Sequence, residues 1–123
     1  MSVKYSEDHV WVKVQDEDLV TIGITDFAQE QLGDLVYIEL PKVDHEFSRE
    51  DNISVIESVK SASDLVAPVS GNIVEVNDRL EDDPELVSED SMGDGWFIKV
   101  KLSKHSELDE LMDEKSYHTF IEG

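Results

Sequence analysis

Lys60 is the residue of this chain whose surroundings point most clearly to chemistry. A run rich in β-branched residues, 53–59, precedes it, and small residues follow it at 61–63. Small polar residues next to a strand-like run are typical of a tight, exposed turn, and we expect the following strand at 72–76. An amine presented in this way is accessible to a modifying enzyme. Lys60 is therefore a candidate site for covalent attachment of a cofactor.

Exposed lysines in turns are common, and most of them are only solvated. The charge balance of the chain distinguishes Lys60 from an ordinary solvated lysine. The chain has 10 Lys and Arg residues against 30 Asp and Glu residues, and Lys60 is flanked by Val59 and Ser61. It is not part of a basic surface, so another reason for its presence is needed.

The remaining residues do not form a catalytic or metal-binding pattern. The chain has no cysteine, which excludes disulfides, thiol nucleophiles and thiolate metal sites. The acidic clusters 16–18 and 81–85 lack the ligand spacing of a calcium loop. No nucleophile elbow or phosphate-binding glycine loop is present. The four histidines are scattered, with no ligand pair at helical spacing: His9, His45, His105 and His118. We expect no enzyme activity, no catalytic residue and no metal site.

Length and charge limit the class of protein further. A chain of 123 residues predicts one domain, and its net charge of −20 disfavours nucleic acid as a partner. No apolar stretch has the length of a membrane span, and the N-terminus lacks the features of an export signal or transit peptide. We expect a cytoplasmic protein, or a mitochondrial matrix protein if a eukaryotic precursor was trimmed.

Apolar periodicity predicts mainly short strands. Thr25 or Asp26 caps a short helix that Gly33 ends, and Ser106 caps a last helix. Polar loops are predicted at 42–52 and 77–94, and strands at 10–14, 19–24, 35–40, 53–59, 72–76 and 96–102. Many short strands with glycine-containing turns favour a mainly β fold, a small barrel or sandwich with short peripheral helices and a C-terminal helix.

Several motifs follow one another in an order typical of one family. They are Lys4-Tyr5, His9, Trp11-Val12, the segments 22–29, 32–36 and 39–41, Glu57-Ser58-Val59-Lys60, Ala67-Pro68-Val69-Ser70-Gly71, and Gly93-Asp94-Gly95-Trp96. Gly71 lies eleven residues after Lys60, a spacing shared by lipoyl domains. At these residues, over nearly its whole length, the chain resembles the H proteins of the glycine cleavage system.

This resemblance implies a lipoyl/biotinyl-type, hammerhead-like domain over residues 1–123 and a carrier function. Lipoic acid would be joined to Lys60 by an amide bond, which a lipoate ligase or lipoyl transferase forms. The implied partners are the pyridoxal-phosphate-dependent glycine decarboxylase (P protein), which loads an aminomethyl group, and the tetrahydrofolate-dependent aminomethyltransferase (T protein), which removes it. Dihydrolipoamide dehydrogenase (L protein) then reoxidises the dithiol. We expect the carrier to be a monomer.

The chain departs from the family pattern at several positions. Val10 stands where family members usually carry a Glu, which is associated with holding the loaded amine. His45 and Glu50 occupy a loop in which glycines are often seen. Ser88 replaces a common Asn, and Ser91-Met92 replaces a Pro-aromatic pair.

Three alternatives remain beside a glycine cleavage carrier. The first is an H-like lipoyl protein that serves lipoate relay or sulfur oxidation. The second is a biotin carrier, whose lysine is usually flanked by methionines; Val59 and Ser61 argue against it. The third is an acidic β-domain that binds a basic protein, which leaves the turn around Lys60 unexplained.

Overall fold

Two antiparallel sheets form the centre of the fold in the computed structural model, which describes residues 3–122. The strands are β1 (Val3–Tyr5), β2 (Val10–Val14), β3 (Leu19–Ile24), β4 (Leu35–Glu39), β5 (Glu46–Phe47), β6 (Asn52–Ser58), β7 (Ala62–Val66), β8 (Gly71–Val76) and β9 (Ile98–Leu102). Six strands pair in the order β1-β2-β3-β9-β8-β5, and three in the order β4-β6-β7. The predicted mainly β architecture is confirmed.

The hydrophobic core contains side chains from both sheets. Val12 and Ile22 come from the larger sheet, and Ile38, Ile56 and Leu65 come from the smaller one. Alternate residues of a strand point to opposite faces, so the apolar positions of each strand meet in one layer between the sheets.

The helices lie around these sheets. They are α1 (Asp26–Leu32), α2 (Arg79–Asp82), α3 (Glu85–Asp90), a 3₁₀ helix (His105–Glu110) and α4 (Glu114–Glu122). Within residues 3–122, none is long and apolar enough to cross a membrane. The Thr25 hydroxyl accepts a hydrogen bond from the Ala28 amide and so caps α1, while Gly33 ends it with φ of 80°.

The prediction that the second strand of the lysine hairpin lies at 72–76 is wrong. That segment forms β8 and pairs with β9 in the larger sheet, while β6 pairs with β7 at 62–66. The sequence of β7 contains one fully buried apolar residue, Leu65, because the start of the strand is exposed at the sheet edge. It therefore lacks the apolar alternation on which strand prediction depends.

Both predicted polar loops contain regular structure. The segment 77–94 includes α2 and α3, which bury Leu80, Leu86 and Val87 in the core. The segment 42–52 includes the short strand β5, which pairs with β8. These elements are short and contain few apolar residues, so the sequence shows no apolar periodicity from which they could be predicted.

The last helix predicted from Ser106 is divided into a 3₁₀ helix and α4, and α4 is the predicted C-terminal helix. Leu111 is extended and ends the 3₁₀ helix, and Met112 forms two backbone hydrogen bonds of 2.8 Å with Tyr5. The helix resumes as α4, where the Asp113 carboxylate accepts a hydrogen bond of 2.7 Å from the Ser116 amide. Hydrogen bonds from Ser116 lower the pKa of Asp113. Pairing with β1 thus interrupts a segment whose apolar spacing alone is helical.

Candidate functional site

Lys60 lies at the tip of the hairpin formed by β6 and β7, and its side chain is exposed. Ser58 closes the turn: its amide donates to the Ser61 carbonyl at 2.8 Å. The Ser58 hydroxyl accepts hydrogen bonds from the amides of Lys60 at 3.2 Å and Ser61 at 3.1 Å. Serine favours such local bonds to nearby backbone groups. The turn predicted from the small residues around Lys60 is therefore present.

The connection between α1 and β4 supports this turn. The Val59 amide donates to the Asp34 carbonyl at 3.0 Å. A Cβ atom at Gly33 would lie 3.3 Å from Cε and 3.6 Å from Nζ of Lys60, so the lysine side chain lies directly over this glycine. Among residues 3–122, Lys60 has no carboxylate within ion-pair distance. Its amine is thus accessible and not engaged.

Gln29 joins the end of α1 to α3 beside the lysine. Its side-chain amide donates to the Gly33 carbonyl at 3.2 Å and to the Ser88 hydroxyl at 3.1 Å. Ser88 is one of the departures from the family pattern, and here it takes part in the support of Gly33.

The 67–71 motif after β7 is held by a carboxylate that the sequence did not reveal. The Ser70 amide and hydroxyl donate to the two carboxylate oxygens of Glu107, at 2.7 Å and 3.0 Å. Glu107 is buried on the 3₁₀ helix. At Gly71, a Cβ atom would collide with the Lys101 carbonyl oxygen and with the Val100 side chain. The glycine eleven residues after Lys60 is therefore required by the close approach of β8 to β9.

Val10 has no polar contact through its side chain. It is 1% exposed, belongs to the core and pairs with Ile24, so this position supplies no acceptor for an amine. The nearby acids Glu7 and Asp8 are exposed and line a cavity of about 160 Å³ with Arg49.

Ser91 and Met92, which depart from the expected family pattern, form hydrogen bonds with β2 and α1. The buried Trp11 indole donates to the Ser91 carbonyl at 2.8 Å, and the Ser91 hydroxyl donates to the Asp26 carboxylate. The Lys13 ammonium donates to the Met92 carbonyl. Both residues thus anchor the 91–95 turn to β2 and α1.

His9 belongs to an aromatic and hydrogen-bonded cluster. Its Nδ1 atom lies 2.8 Å from the Tyr117 hydroxyl, which lies 2.8 Å from the Thr25 hydroxyl. The His9 ring also packs against Phe27, with centroids 4.6 Å apart. Burial lowers the pKa of His9, and the nearby Asp8 opposes this shift. Residues 3–122 contain no group of three or more side chains arranged to hold a metal ion.

Comparison with known proteins places the whole arrangement in one family. The family model described as "Glycine cleavage H-protein" matches residues 3–123. The chain belongs to the glycine cleavage H-protein family.

Its relatives confirm this assignment. A glycine cleavage system H protein of Rhodospirillum rubrum is 53% identical over 117 residues, covering 95% of this chain and 93% of the relative. The H protein of Parvibaculum lavamentivorans is 52% identical over 121 residues, covering 98% and 96%. The crystal structure of a glycine cleavage system H protein from Mycobacterium marinum superposes with a TM-score of 0.90 at 35% identity, covering 99% of this chain and 98% of that one. Membership of the H-protein family implies a lipoyl carrier role in the glycine cleavage system.

Proposed function

We propose that this chain is the carrier of a glycine cleavage system and that Lys60 is the residue that bears lipoate through an amide bond. The observation that supports this most directly is the unengaged Lys60 amine at the tip of the β6–β7 hairpin in an H-family fold. The proposal includes one lipoyl-binding domain over residues 1–123, a monomeric state and a cytoplasmic location.

The residues around Lys60 serve presentation rather than catalysis. Ser58 closes the turn through hydrogen bonds, and the Val59–Asp34 bond joins the turn to the body of the protein. Gly33 leaves room for the side chain beside the hairpin. Lipoate joined to Lys60 would supply a disulfide for group transfer and redox chemistry. The tether keeps this group at high effective concentration near successive active sites.

The proposed partners are the glycine decarboxylase, the aminomethyltransferase, the dihydrolipoamide dehydrogenase and a lipoate ligase or lipoyl transferase. The carrier itself should have no turnover. A partner-free preparation that decarboxylates glycine in proportion to its concentration would contradict this.

Lys60→Arg should abolish lipoylation and leave the fold intact, because a side chain at a turn tip buries little surface. The protein is expressed with lipoate and its ligase, and intact mass with a peptide map locates the modification. Lys42→Arg and Lys99→Arg are the matched controls and should remain fully modified. Lipoylation that persists in Lys60→Arg, or that maps to Lys42 or Lys99, would refute the assignment of the site.

The second candidate function is that of a lipoyl carrier outside glycine cleavage. The observation that favours it is the buried, apolar side chain of Val10. If an acceptor at this position is required to retain the aminomethyl group, this chain lacks it. Lipoylated protein is mixed with glycine and the decarboxylase, and the loaded form is followed by mass spectrometry. Efficient loading supports the glycine cleavage carrier. Normal lipoylation without loading favours lipoate relay or sulfur oxidation.

A further inference from the structure

Exposed apolar side chains are grouped beside Lys60. Val59, which precedes the lysine, is 65% exposed, the highest value for a large apolar side chain among residues 3–122. Val36 and Tyr37 on the adjacent strand β4 are 56% and 44% exposed. The other exposed large apolar residues lie elsewhere: Val43, Val74 and Phe120. Apolar surface beside the proposed modification site, in a chain of net charge −20, indicates a contact surface.

A β-bulge in β4 explains why Val36 and Tyr37 are exposed. Leu35 pairs with Ser58 and Tyr37 pairs with Glu57, so Val36 is an extra residue opposite the end of β6. Leu35 and Ile38 are buried in the core, whereas the two residues between them both face solvent. A bulge redirects side chains in this way and is common next to functional sites. Val36 and Tyr37 therefore bury little of their apolar surface within the fold.

We propose that Val36, Tyr37 and Val59 form a docking patch for the enzyme that acylates Lys60. This inference rests on the proposed role of Lys60. An enzyme that holds the Lys60 amine must approach the turn, and the turn is joined to the start of β4 through the Val59–Asp34 hydrogen bond. Recognition then extends from the hairpin to a strand more than twenty residues earlier in the chain.

The charges around the patch define the complementary surface. Asp34, Glu39 and Glu57 are exposed on β4, on β6 or next to them. Lys60 is the only Lys or Arg in the segments 31–41 and 50–66. The acylating enzyme should therefore offer an apolar depression with Lys or Arg side chains at its rim, since complementary charges steer and orient such encounters.

The test compares the apo forms of Val36→Ser/Tyr37→Ser and Val43→Ser/Val74→Ser. The second variant removes exposed apolar side chains away from the lysine. Initial rates are measured with purified lipoate ligase, lipoate and ATP over a range of carrier concentrations. We expect the patch variant to lose about tenfold in kcat/KM, mainly through KM, and the control to stay within about twofold of wild type. Circular dichroism verifies folding, and Tyr37→Ser alone replaces the double variant if that variant does not fold.

The outcomes separate this inference from the proposed function. If wild type is not acylated at Lys60, both are overturned. If wild type is acylated and the patch variant has the kcat/KM of the control, the docking patch alone is overturned. A patch variant that is acylated normally but loads poorly with glycine decarboxylase also overturns the inference, because it assigns the face to a different partner.

Discussion

At the scale of single residues, two positions in the 42–52 segment have an unusual backbone conformation. Asp44 has φ of 73° and Glu50 has φ of 76°, in the left-handed region that favours glycine. The family resemblance singles out His45 and Glu50 in this segment, as residues that stand where glycine is expected. His45 does not have a positive φ; its neighbour Asp44 does. The strain therefore lies at Asp44 and Glu50.

Glu50→Gly should stabilise the protein by about 0.5–1 kcal/mol. The left-handed conformation costs a non-glycine residue about 1–2 kcal/mol. The greater backbone entropy that glycine loses on folding offsets part of this gain. The Glu50 amide bonds the Ala67 carbonyl at 2.8 Å, which any residue at this position retains. Chemical denaturation measures the change. Glu50→Gln removes the charge alone and should give a smaller effect; an equal gain in both variants would show that charge, and not strain, is responsible.

Some of the candidate site was predictable from residues and some was not. The position of Lys60 in a turn was predictable, because small polar residues after a β-branched run are typical of turns. The contact of Lys60 with Gly33 was not, since it depends on how α1 meets the hairpin. Glu107 was hidden among 30 acidic residues, and only its burial against Ser70 distinguishes it.

At the scale of elements, the attachment of α4 depends on a small aromatic cluster. The Tyr117 ring is stacked on Tyr5 with centroids 4.6 Å apart, and its hydroxyl lies between His9 and Thr25. Burial raises the pKa of Tyr117 and of Tyr5, so both hydroxyls stay protonated at neutral pH. Thr25 also caps α1. One tyrosine thus connects α4, α1 and the start of β2.

Stability should decrease as the pH falls below about 6.5, the ordinary pKa of histidine. Burial lowers the pKa of His9 in the folded protein, so the folded state favours neutral imidazole more than the unfolded state does. The contribution of neutral His9 to stability is complete above the pKa of the unfolded state. It is lost as the pH falls from about 6.5 to the lower pKa of the folded state. The charged groups near His9 and Tyr117 are Asp8 and Asp26, and Asp8 limits the shift.

The measurement is the free energy of unfolding between pH 5 and pH 8 for wild type and His9→Asn. Asparagine tolerates the φ of 65° at this position and does not titrate in this range. The difference between the two curves isolates His9 from the other histidines. A difference that does not change with pH would contradict the prediction.

Secondary structure was predictable where apolar periodicity is strong. β2 and β3 have alternating or continuous apolar residues, and both were found at the predicted positions. β7 was missed because its first three residues are polar or small and exposed. The break between the 3₁₀ helix and α4 was missed because a bridge between Met112 and Tyr5 overrides helical spacing.

At the scale of the whole molecule, negative charge is the dominant property. The chain carries 30 Asp and Glu residues against 10 Lys and Arg residues. The clearest ion pair involving an arginine, Arg49 with Glu110 at 2.8 Å, lies at the surface and contributes little stability. Most carboxylates therefore repel one another across solvent, which destabilises the compact state.

The thermal midpoint should rise as NaCl is increased from about 0.01 M to about 0.5 M, because the screening length falls from about 30 Å toward a few ångströms. Differential scanning fluorimetry or calorimetry measures the midpoint. KCl at equal ionic strength is the control and should give the same rise, since screening depends on ionic strength. A midpoint independent of salt would mean that the carboxylates are spaced too widely to interact.

Trp11 and Trp96, the two tryptophans of the chain, lie in different surroundings. Trp11 is fully buried and its indole donates to Ser91, whereas Trp96 is half-buried with the Lys99 ammonium 5.1 Å from its ring centroid. The molecule thus contains two tryptophan fluorophores, which can be excited selectively over the tyrosines. In Trp96→Phe, the emission of Trp11 alone reports water entry where β2 meets the 91–95 turn, so loosening of that contact becomes visible without an added dye.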